Sequence, residues 1–453
     1  MVFQGERVAV ILAAGMGTRM KSALPKVLHK IAGKPIIGHV IDAVRAAGVD
    51  RIVVVTAPGG QSVRDYAAAL GARCVVQEAQ LGTGHAAAAA RTELAGFDGH
   101  LVIAYGDMPL VRPETFAASF DAQARTGMAI VAFQSTNPSY GRVIAEQDGR
   151  LARIVEYRDA NAEERQITVC NAGIMAAPAS DFFRWCAHLT NNNSQGEYYL
   201  TDVPLLARRD NVACSIVMAD EAEMLGVNSR SELAAAEGEM QRRLRSAALA
   251  NAVGMQAPDT VFLSHDTVLE SDCTIGPYVV FGTGVTVKAG AEIRAFSHLE
   301  ECVVHEGAII GPYARLRPGA DIGRDAHIGN FVEVKATKVG DGAKANHLTY
   351  LGDAHVGAGA NIGAGTITCN YDGFFKYRTE IGAGAFIGSN SALVAPVTIE
   401  DGAYIGAGST ISGASVPKDA LCFTRAPRKE IEGWALEFRT RKSAEKSASK
   451  KGK

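Results

Sequence analysis

The sequence has no long apolar run and no closely paired cysteines. Its first stretch, MVFQGERVAVILAAG, contains an apolar segment too short to span a bilayer and lacks the layout of a secretory signal. Eight cysteines are scattered along 453 residues without a CxxC pair, which favours free, mostly structural thiols in a reducing compartment. We therefore expect a cytoplasmic protein.

An excess of charge of one sign is also missing. The formal net charge is -2, with 21% charged and 47% hydrophobic residues, a composition typical of globular proteins without an overall attraction to nucleic acid or membrane. The length is too great for one ordinary core and predicts two or more domains. Binding partners must be inferred from local sites.

The C-terminal half contains a ladder of apolar residues with a six-residue period. A helix repeats every 3.6 residues and a strand every two, whereas a period of six fits a parallel β-helix whose coils are three short strands joined by tight turns. Glycines such as Gly382 and Gly388 fill the intervals. The rungs of the ladder are Ile275, Phe281, Val287, Ile293, Leu299, Ile310, Leu316, Ile322, Ile328, Val334, Val356, Ile362, Ile381, Ile387, Leu393, Ile399, Ile405 and Ile411.

The N-terminal half begins with a predicted buried strand, RVAVILAA, that leads into a glycine loop. Gly15 and Gly17 allow backbone N–H groups to approach an anion, and Arg19 and Lys26 add positive charge. The loop matches neither GxxxxGK[ST] nor GxGxxG, so it is neither a P-loop nor a dinucleotide fingerprint. By shape alone, a phosphate site and a plain turn between strand and helix both remain open.

Strands and helices alternate after this loop, which predicts a mostly parallel sheet covered by helices. We expect helices near Ile36–Ala47 and Ser62–Leu70, and strands at Arg51–Thr56, Cys74–Gln77 and His100–Ala104. Ligands of such sheets bind beyond the carboxyl ends of the strands.

Polar residues follow two of these predicted strand ends. Gln77, Gly82 and Thr83 come after one, with Thr83 as a possible helix cap. Asp107 comes after the other, as a turn residue or as a carboxylate for a phosphate-bound Mg²⁺, which usually takes one or two protein oxygens.

A proline-free segment rich in Ala, Glu and Arg, residues 231–251, predicts one long helix between the two periodicities. The expected division is therefore residues 1–230, a helical linker at 231–251, and a β-helix domain at 252–453. From Arg439 to Lys453 there are seven basic residues and one acidic residue. We expect this tail to be disordered rather than a nucleic-acid arm.

A second group of polar residues interrupts the ladder between residues 315 and 379. His347 is the candidate general base, because an imidazole titrates near neutral pH and can take a proton from an attacking amine. Arg317 and Lys335 could hold a phosphate while Tyr350 and Asn361 hold a sugar. The alternative is a coincidental set of charges at the edge of the solenoid.

Two motif sets identify a resemblance. The string Leu12-Ala-Ala-Gly-Met-Gly-Thr-Arg-Met20 with Pro25-Lys26 resembles the signature loop of sugar-nucleotide pyrophosphorylases. With the polar set in the solenoid, the chain from Val8 to about Trp434 resembles the bifunctional bacterial enzymes that make UDP-N-acetylglucosamine. Their usual Gly-His-Gly turn is replaced by residues within T56APGGQ61, which puts the geometry of that loop in doubt.

The resemblance implies a fold and two reactions. The fold class is α/β, with a Rossmann-like nucleotidyltransferase sheet, a linker helix and a left-handed parallel β-helix. The β-helix acetylates glucosamine 1-phosphate with acetyl-CoA. The N-terminal domain then transfers UMP from UTP to this product, with Mg²⁺, and gives UDP-N-acetylglucosamine and pyrophosphate. The sugar nucleotide is implied to serve cell-wall precursor synthesis. A homotrimer is implied, with acetyltransferase sites between subunits and small-molecule substrates only, without nucleic-acid or membrane partners.

The resemblance also assigns residues. For the nucleotide and sugar nucleotide these are Leu12, Ala13, Ala14, Gly15, Lys26, Gln77, Gly82, Thr83, Tyr105, Gly106, Asp107, Gly141, Glu156, Asn171 and Asn228. Asp107 and Asn228 are implied to hold the metal. Gly141, Glu156 and Asn171 are implied to read the hexose and its N-acetyl group. Lys26, together with Arg19, is implied to stabilise the charge. Arg317, Lys335, Tyr350 and Asn361 bind glucosamine 1-phosphate, and His347 is the base. The coenzyme contacts Ala364, Asn370, Tyr371, Ser389, Ala407 and Arg425.

Two rival interpretations remain. One is a pyrophosphorylase whose β-helix only assembles or regulates it, and the other is a β-helix binding module joined to an inactive nucleotide fold. The polar set around His347 argues against the first, and intact Gly15, Lys26, Asp107 and Asn228 argue against the second.

Overall fold

A computed structural model describes residues 5–138, 140–413 and 415–451. The chain forms two compact units. The first runs to Ala250 and includes Phe262–Thr267, and the second comprises Asn251–Val261 and continues from Val268.

The first unit contains a nine-stranded mixed sheet. Its strands are β1 (Arg7–Ala13), β2 (Arg51–Thr56), β3 (Arg73–Val76), β4 (His100–Tyr105), β5 (Gly127–Gln134), β6 (Arg142–Ala145), β7 (Leu151–Val155), β8 (Val169–Pro178) and β9 (Ala213–Met218). Their order across the sheet is β9-β5-β8-β4-β1-β2-β3, with a β6–β7 hairpin paired to β8. Neighbouring strands are parallel, except that β8 runs antiparallel to β4, β5 and β6, and that β6 and β7 are antiparallel to each other. A separate hairpin pairs Lys30–Ile31 with Lys34–Pro35.

Helices cover both faces of this sheet. They are α1 (Ile36–Ala46), α2 (Gln61–Ala69), α3 (Thr83–Ala89), α4 (Pro113–Thr126), α5 (Ala179–Cys186), α6 (Val203–Arg209) and α7 (Arg230–Ala250). In β1, Val8 and Val10 point into one core while Ala9 and Ile11 point into the other, because side chains alternate along a strand. The predicted strand–helix alternation is confirmed by these elements.

The helix predicted between the two periodicities is α7. It is not a free spacer, since Ala236 is fully buried and packs with Leu233 and Met240 into a cluster that contains Met20 and Ile31. The polar composition of the segment concealed this narrow apolar stripe. The proposed three-part division of the chain stays a prediction.

The second unit is a solenoid of three parallel sheets that contain ten, eight and eight strands among the described residues. Sheet 1 comprises Gly254–Met255, Thr274–Ile275, Glu292–Ile293, Ile309–Ile310, His327–Asn330, Lys344–His347, Asn361–Ile362, Phe386–Ile387, Tyr404–Ile405 and Leu421–Cys422. Sheet 2 comprises Val268–Leu269, Thr286–Val287, Val303–Val304, Asp321–Ile322, Lys338–Val339, Ala354–Val356, Thr379–Ile381 and Val397–Ile399. Sheet 3 comprises Val280–Phe281, His298–Leu299, Arg315–Leu316, Glu333–Lys335, Tyr350–Gly352, Ile367–Cys369, Ala392–Val394 and Thr410–Ser412.

The predicted rungs of the ladder are all buried and the strands stack in parallel sheets, which confirms the parallel β-helix predicted from the sixfold period. Further rungs, among them Val304, Val339 and Leu351, are equally buried but do not lie on the predicted sixfold positions. The register explains why, because Val287 pairs with Val304 and Val334 pairs with Leu351. These coils are therefore one residue shorter than three hexapeptides, and the buried positions that follow are displaced by one residue from the sixfold period.

The basic tail differs from the expectation of disorder from about residue 439. It is a helix, α8 (Trp434–Lys451), whose side chains up to residue 448 are all exposed. Its Ala, Glu, Arg and Lys residues are good helix formers, so local propensity is sufficient to account for it.

Candidate active sites

A cavity of about 290 Å³ lies at the carboxyl ends of β1 and β4. Because Leu12 pairs with Tyr105, the glycine loop after β1 and the polar segment after β4 meet at one edge of the sheet. Ten predicted residues line the cavity: Leu12, Ala13, Ala14, Gly15, Lys26, Gln77, Gly82, Thr83, Tyr105 and Asp107. Val27, Gln80, Ala86 and Glu197 complete the lining and were not predicted.

Lys26 joins the two predicted metal ligands. Its Nζ lies 2.5 Å from Asp107 Oδ2 and 2.8 Å from Asn228 Oδ1, although the three residues are far apart in sequence. A cationic group thus already sits between a carboxylate and an amide oxygen, the donor types that suit Mg²⁺.

The described residues include no group of three or more His, Cys, Asp or Glu side chains that could hold a metal ion. This does not conflict with Asp107 and Asn228, because Mg²⁺ in phosphate sites usually takes only one or two protein oxygens and completes its shell with phosphates and water. The residues present therefore fit a phosphate-bound Mg²⁺.

Gln77 and Gly82 form one wall of the cavity. Gln77 is buried and donates from Nε2 to Gly82 O at 3.2 Å, and the same atom lies 3.1 Å from His85 Nδ1. Gly82 has φ +109°, and a Cβ there would lie 2.7 Å from Tyr198 O, so only glycine fits. Gly82, not Thr83, is the N-cap of α3; Thr83 Oγ1 instead accepts a hydrogen bond from Leu200 N at 3.1 Å.

Gln80 was missed although it belongs to the same QEAQ segment as Gln77. Its side-chain amide donates to Ala14 O and so links the segment after β3 to the glycine loop. Sequence spacing alone could not distinguish which of the two glutamines faces the loop.

The three residues predicted to read the sugar come together beside this cavity without lining it. Asn171 N donates to Gly141 O at 2.9 Å, and Glu156 Oε1 accepts from Thr201 Oγ1 at 3.3 Å. A Cβ at Gly141 would lie 3.5 Å from Glu156 Oε1, so the carboxylate is close to the Gly141–Asn171 pair.

Two other predicted residues stand apart from the cavity lining. Arg19 is exposed on the turn Thr18–Met20. Gly106 is buried, and its N–H donates to Leu12 O at 2.9 Å, which holds the ends of β1 and β4 together.

Burial raises the pKa of Glu156, with Asp159 and Asp202 adding to the rise and the Thr201 hydrogen bond opposing it. A carboxyl whose pKa is raised on folding stabilises the fold most below its unfolded pKa, and this contribution is lost as the pH rises through the folded value. We therefore expect Glu156→Gln to raise the melting temperature of the first unit at pH 8 and to leave it nearly unchanged at pH 4. Thermal unfolding across that range measures this.

The same variant should lower activity with the sugar phosphate, because a charge-assisted hydrogen bond is replaced by a neutral one, a loss of about 10- to 100-fold in kcat/KM. Glu163→Gln, at an exposed position of the same loop, is the control. A variant that is less stable than the parent at pH 8 would contradict the argument.

In the second unit, His347 lies exposed at the end of a sheet 1 strand. Its Nδ1 is 2.6 Å from Asn330 Oδ1, and the two residues are paired in register on adjacent coils. Asn330 was not predicted. When Asn330 Oδ1 accepts a hydrogen bond from the Nδ1–H group, Nε2 is the acceptor nitrogen of the neutral imidazole.

The predicted phosphate-binding residues occupy neighbouring coils of sheet 3 and contact acidic residues that were not predicted. Arg317 Nη1 is 2.8 Å from Glu333 Oε1, and Lys335 Nζ is 3.7 Å from Asp353 Oδ2. Hydrogen bonding and repulsion from Lys335 lower the pKa of Lys376, so two lysines converge here. A dianionic phosphate would relieve that repulsion.

The two residues predicted to bind the sugar lie in sheet 3 and in sheet 1. Tyr350 pairs with Glu333 across adjacent strands, and Asn361 pairs with Lys344 one coil beyond the strand of His347. The register thus brings Arg317, Lys335, His347 and Tyr350 to neighbouring coils.

The predicted coenzyme residues form two groups. One group lies at one corner of successive coils and comprises Ser389, Ala407 and Arg425. A Cβ built on Gly388, next to Ser389, would lie 2.4 Å from Ala407 N. A Cβ built on Gly406, next to Ala407, would lie 3.4 Å from Arg425 Nη2. Ala364 O accepts from Asn390 N at 2.8 Å and joins this corner.

The other two lie on the inserted loop. Asn370 donates to Asp353, beside Lys335, and the hydroxyl of exposed Tyr371 donates to Gly373 O at 2.6 Å. A groove of about 730 Å³ along sheet 2 is lined by none of the predicted substrate-binding, coenzyme-binding or catalytic residues.

In the part of the chain that the structure describes, no helix combines the length and the apolar character needed to cross a bilayer.

Comparisons with known proteins agree with this architecture. Residues 9–197 match the model of a MobA-like NTP transferase domain, and residues 301–336 and 378–413 match the bacterial transferase hexapeptide (six repeats). The bifunctional protein GlmU of Paramagnetospirillum magneticum is 50% identical over 97% of this chain and 98% of its own length. Those of Jannaschia sp. and Zymomonas mobilis are 49% and 48% identical over 98% and 96% of this chain, and 98% of their own lengths. The chain therefore belongs to the GlmU family of bifunctional proteins.

Proposed function

We propose that the chain makes UDP-N-acetylglucosamine in two steps, with the residue roles inferred above. The β-helix unit acetylates glucosamine 1-phosphate from acetyl-CoA, and the first unit transfers UMP from UTP to the acetylated sugar phosphate. The observation that carries the proposal is the contact of Lys26, at the cavity, with both Asp107 and Asn228, within a chain that also pairs His347 with Asn330.

In acetyl transfer, Arg317 and Lys335 hold the phosphate and Tyr350 and Asn361 hold the sugar. Nε2 of His347 takes a proton from the amine as its nitrogen attacks the acetyl carbonyl carbon. The C–N bond forms, the C–S bond breaks, and the coenzyme leaves as a thiolate that is then protonated. The corner that contains Ser389, Ala407 and Arg425 supports the coenzyme.

In uridyl transfer, a phosphate oxygen of N-acetylglucosamine 1-phosphate attacks the α-phosphorus of UTP, and pyrophosphate leaves. The glycine loop places backbone N–H groups near the phosphates, and Lys26 stabilises the developing charge. Exposed Arg19 is assigned to the same role at the outer phosphates. Asp107 and Asn228 would hold Mg²⁺, which would supply additional positive charge at the phosphate oxygens when bound. Gln77, Gly82 and Thr83 hold the base.

The substrates are small molecules, and the β-helix assembles as a homotrimer in this family. We place the protein in the cytoplasm, where UTP and acetyl-CoA are available. Its product serves as a cell-wall precursor.

One incubation tests the whole proposal. The purified chain is mixed with glucosamine 1-phosphate, acetyl-CoA, UTP and Mg²⁺, and the products are identified by mass spectrometry. We expect UDP-N-acetylglucosamine, free coenzyme A and pyrophosphate. A second tube with N-acetylglucosamine 1-phosphate and no acetyl-CoA tests the first unit alone. N-acetylglucosamine 1-phosphate as the only product would exclude uridyl transfer, and no acetylated sugar would leave the β-helix as a scaffold.

A further inference from the structure

A fully buried arginine lies directly behind the proposed sugar pocket. Arg142 in β6 has 1% of its surface exposed, and its Nη1 contacts Cys170 Sγ in β8. The same nitrogen donates to Asn137 O at 3.2 Å and to Tyr140 O at 3.3 Å. The guanidinium carbon is 4.9 Å from the centre of the Tyr157 ring.

No carboxylate in the described parts of the chain lies within ion-pair distance of this guanidinium, and its Nε is buried without a hydrogen-bond partner. Arginine stays charged in proteins, and a buried charge is costly unless it is paired or fully hydrogen-bonded. Here only carbonyl oxygens, a sulfur atom and an aromatic face compensate it. An apolar side chain would fill this interior more favourably, so the position serves something other than core stability.

The sulfur partner is a neutral thiol. Burial raises the pKa of Cys170, with Arg142 opposing the rise. Cys170 Sγ lies 3.4 Å from Ser135 O, so the thiol hydrogen can point to that carbonyl while a sulfur lone pair accepts from Arg142. The side chain is 0% exposed, which excludes direct contact with substrate.

The residues next to this pair belong to the sugar pocket. Arg142 and Cys170 face each other in register between β6 and β8, and the adjacent residues Gly141 and Asn171 are joined by a backbone hydrogen bond of 2.9 Å. On the other side of Asn171 the strand is irregular up to Met175, and Gly173 N donates to Asn171 Oδ1 at 3.1 Å. Asn171 is therefore fixed on one side by Cys170 and on the other by Gly173.

We propose that Arg142 and Cys170 are positioning residues that hold Gly141 and Asn171 at the spacing required by the N-acetylated sugar phosphate. This inference rests on the proposed function. Without the contact, β6 can shift against β8, and the sugar pocket loses its geometry while the nucleotide cavity at β1 and β4 is unaffected. The pair thus determines recognition of the sugar, not of UTP.

The test measures the two substrates of uridyl transfer separately. For Arg142→Met we expect KM for N-acetylglucosamine 1-phosphate to rise about tenfold or more, because small displacements of positioning groups have large effects. KM for UTP and the rate of acetyl transfer should stay within about twofold, because the side-chain contacts of Arg142 described above include no residue that lines the nucleotide cavity and none of the second unit. Discrimination against glucose 1-phosphate should fall in parallel.

Cys170→Ala removes the sulfur acceptor with little change of volume and should give the same pattern with a smaller rise. Arg142→Lys keeps the charge but loses the fork, and should not rescue the KM. The matched controls are Arg153→Met in the neighbouring strand β7, where the arginine is half-exposed and paired with Glu164, and Cys214→Ala, a buried thiol in β9.

An equal rise of both KM values, or no change of either in Cys170→Ala, would overturn the proposal and leave a purely structural role. If Arg142→Met does not fold, judged by the melting of the first unit, Cys170→Ala decides. Failure of the proposed function is distinguishable, because the parent protein would then transfer no UMP to either sugar phosphate.

Discussion

His347→Ala should lower the rate of acetyl transfer by about 10²- to 10⁴-fold, the range in which a positioned general base contributes. The amine of glucosamine 1-phosphate must lose a proton as it attacks the thioester, and His347 is an exposed imidazole on a coil next to those of Arg317 and Lys335. Uridyl transfer from supplied N-acetylglucosamine 1-phosphate should remain within about twofold of the parent, because its residues lie in the other unit. The two rates are measured by release of coenzyme A and of pyrophosphate.

A variant of Asn330 tests whether His347 acts as an oriented general base or is only a nearby histidine. Asn330→Ala removes the group 2.6 Å from Nδ1 and should lower acetyl transfer by about tenfold, the weight of one orienting hydrogen bond. His355→Ala is the matched control, since His355 belongs to the next coil but lies in sheet 2 and pairs with Glu380. If His347→Ala retained acetyl transfer, the assignment of His347 as general base would be wrong. If it lost both activities equally, the assignment of two separate sites would be wrong.

The repeats and the glycine loop could be predicted because each depends on local sequence. A sixfold period requires only that apolar residues such as Ile381 and Ile387 recur, and both are fully buried. The glycine loop follows a strand whose apolar run is plain in the sequence. The length of each coil was harder to predict. A coil that is one residue shorter places Val304 and Leu351 outside the sixfold positions without weakening the core.

Partners on adjacent coils could not be predicted from the sequence. Three residues that were not predicted contact a predicted residue on the adjacent coil: Asn330, Glu333 and Asp353. These contacts can be identified only when the register of the coils is known. The Arg142–Cys170 pair is similar, because it joins strands that lie 28 residues apart in the chain. Arg19 is the opposite case. It was predicted from the motif, but its side chain is exposed and does not line the cavity.

Asp107→Ala should lower uridyl transfer by about 10³-fold or more, which is the opposite pattern to His347→Ala, because it removes charge stabilisation at the reacting phosphates. It deletes the only carboxylate predicted for Mg²⁺ and the partner of Lys26 Nζ at 2.5 Å. Acetyl transfer should stay within about twofold. Asp98→Ala is the control, since Asp98 is exposed at the amino end of β4, whereas Asp107 follows its carboxyl end.

Metal titration distinguishes loss of a metal ligand from loss of the Lys26 contact. In Asn228→Ala a carboxylate remains, so activity should return partly at high Mg²⁺ and the half-saturating concentration should rise. In Asp107→Ala added Mg²⁺ should not restore the rate, since the charged ligand is lost and only the neutral amide oxygen of Asn228 remains. Lys26→Met removes the competing ammonium from between the two oxygens and should lower the half-saturating Mg²⁺ concentration even though it slows the reaction. If Lys26→Met and Asp107→Ala both left the Mg²⁺ dependence unchanged, the metal would have to bind elsewhere, and Asp107 would act only by holding Lys26.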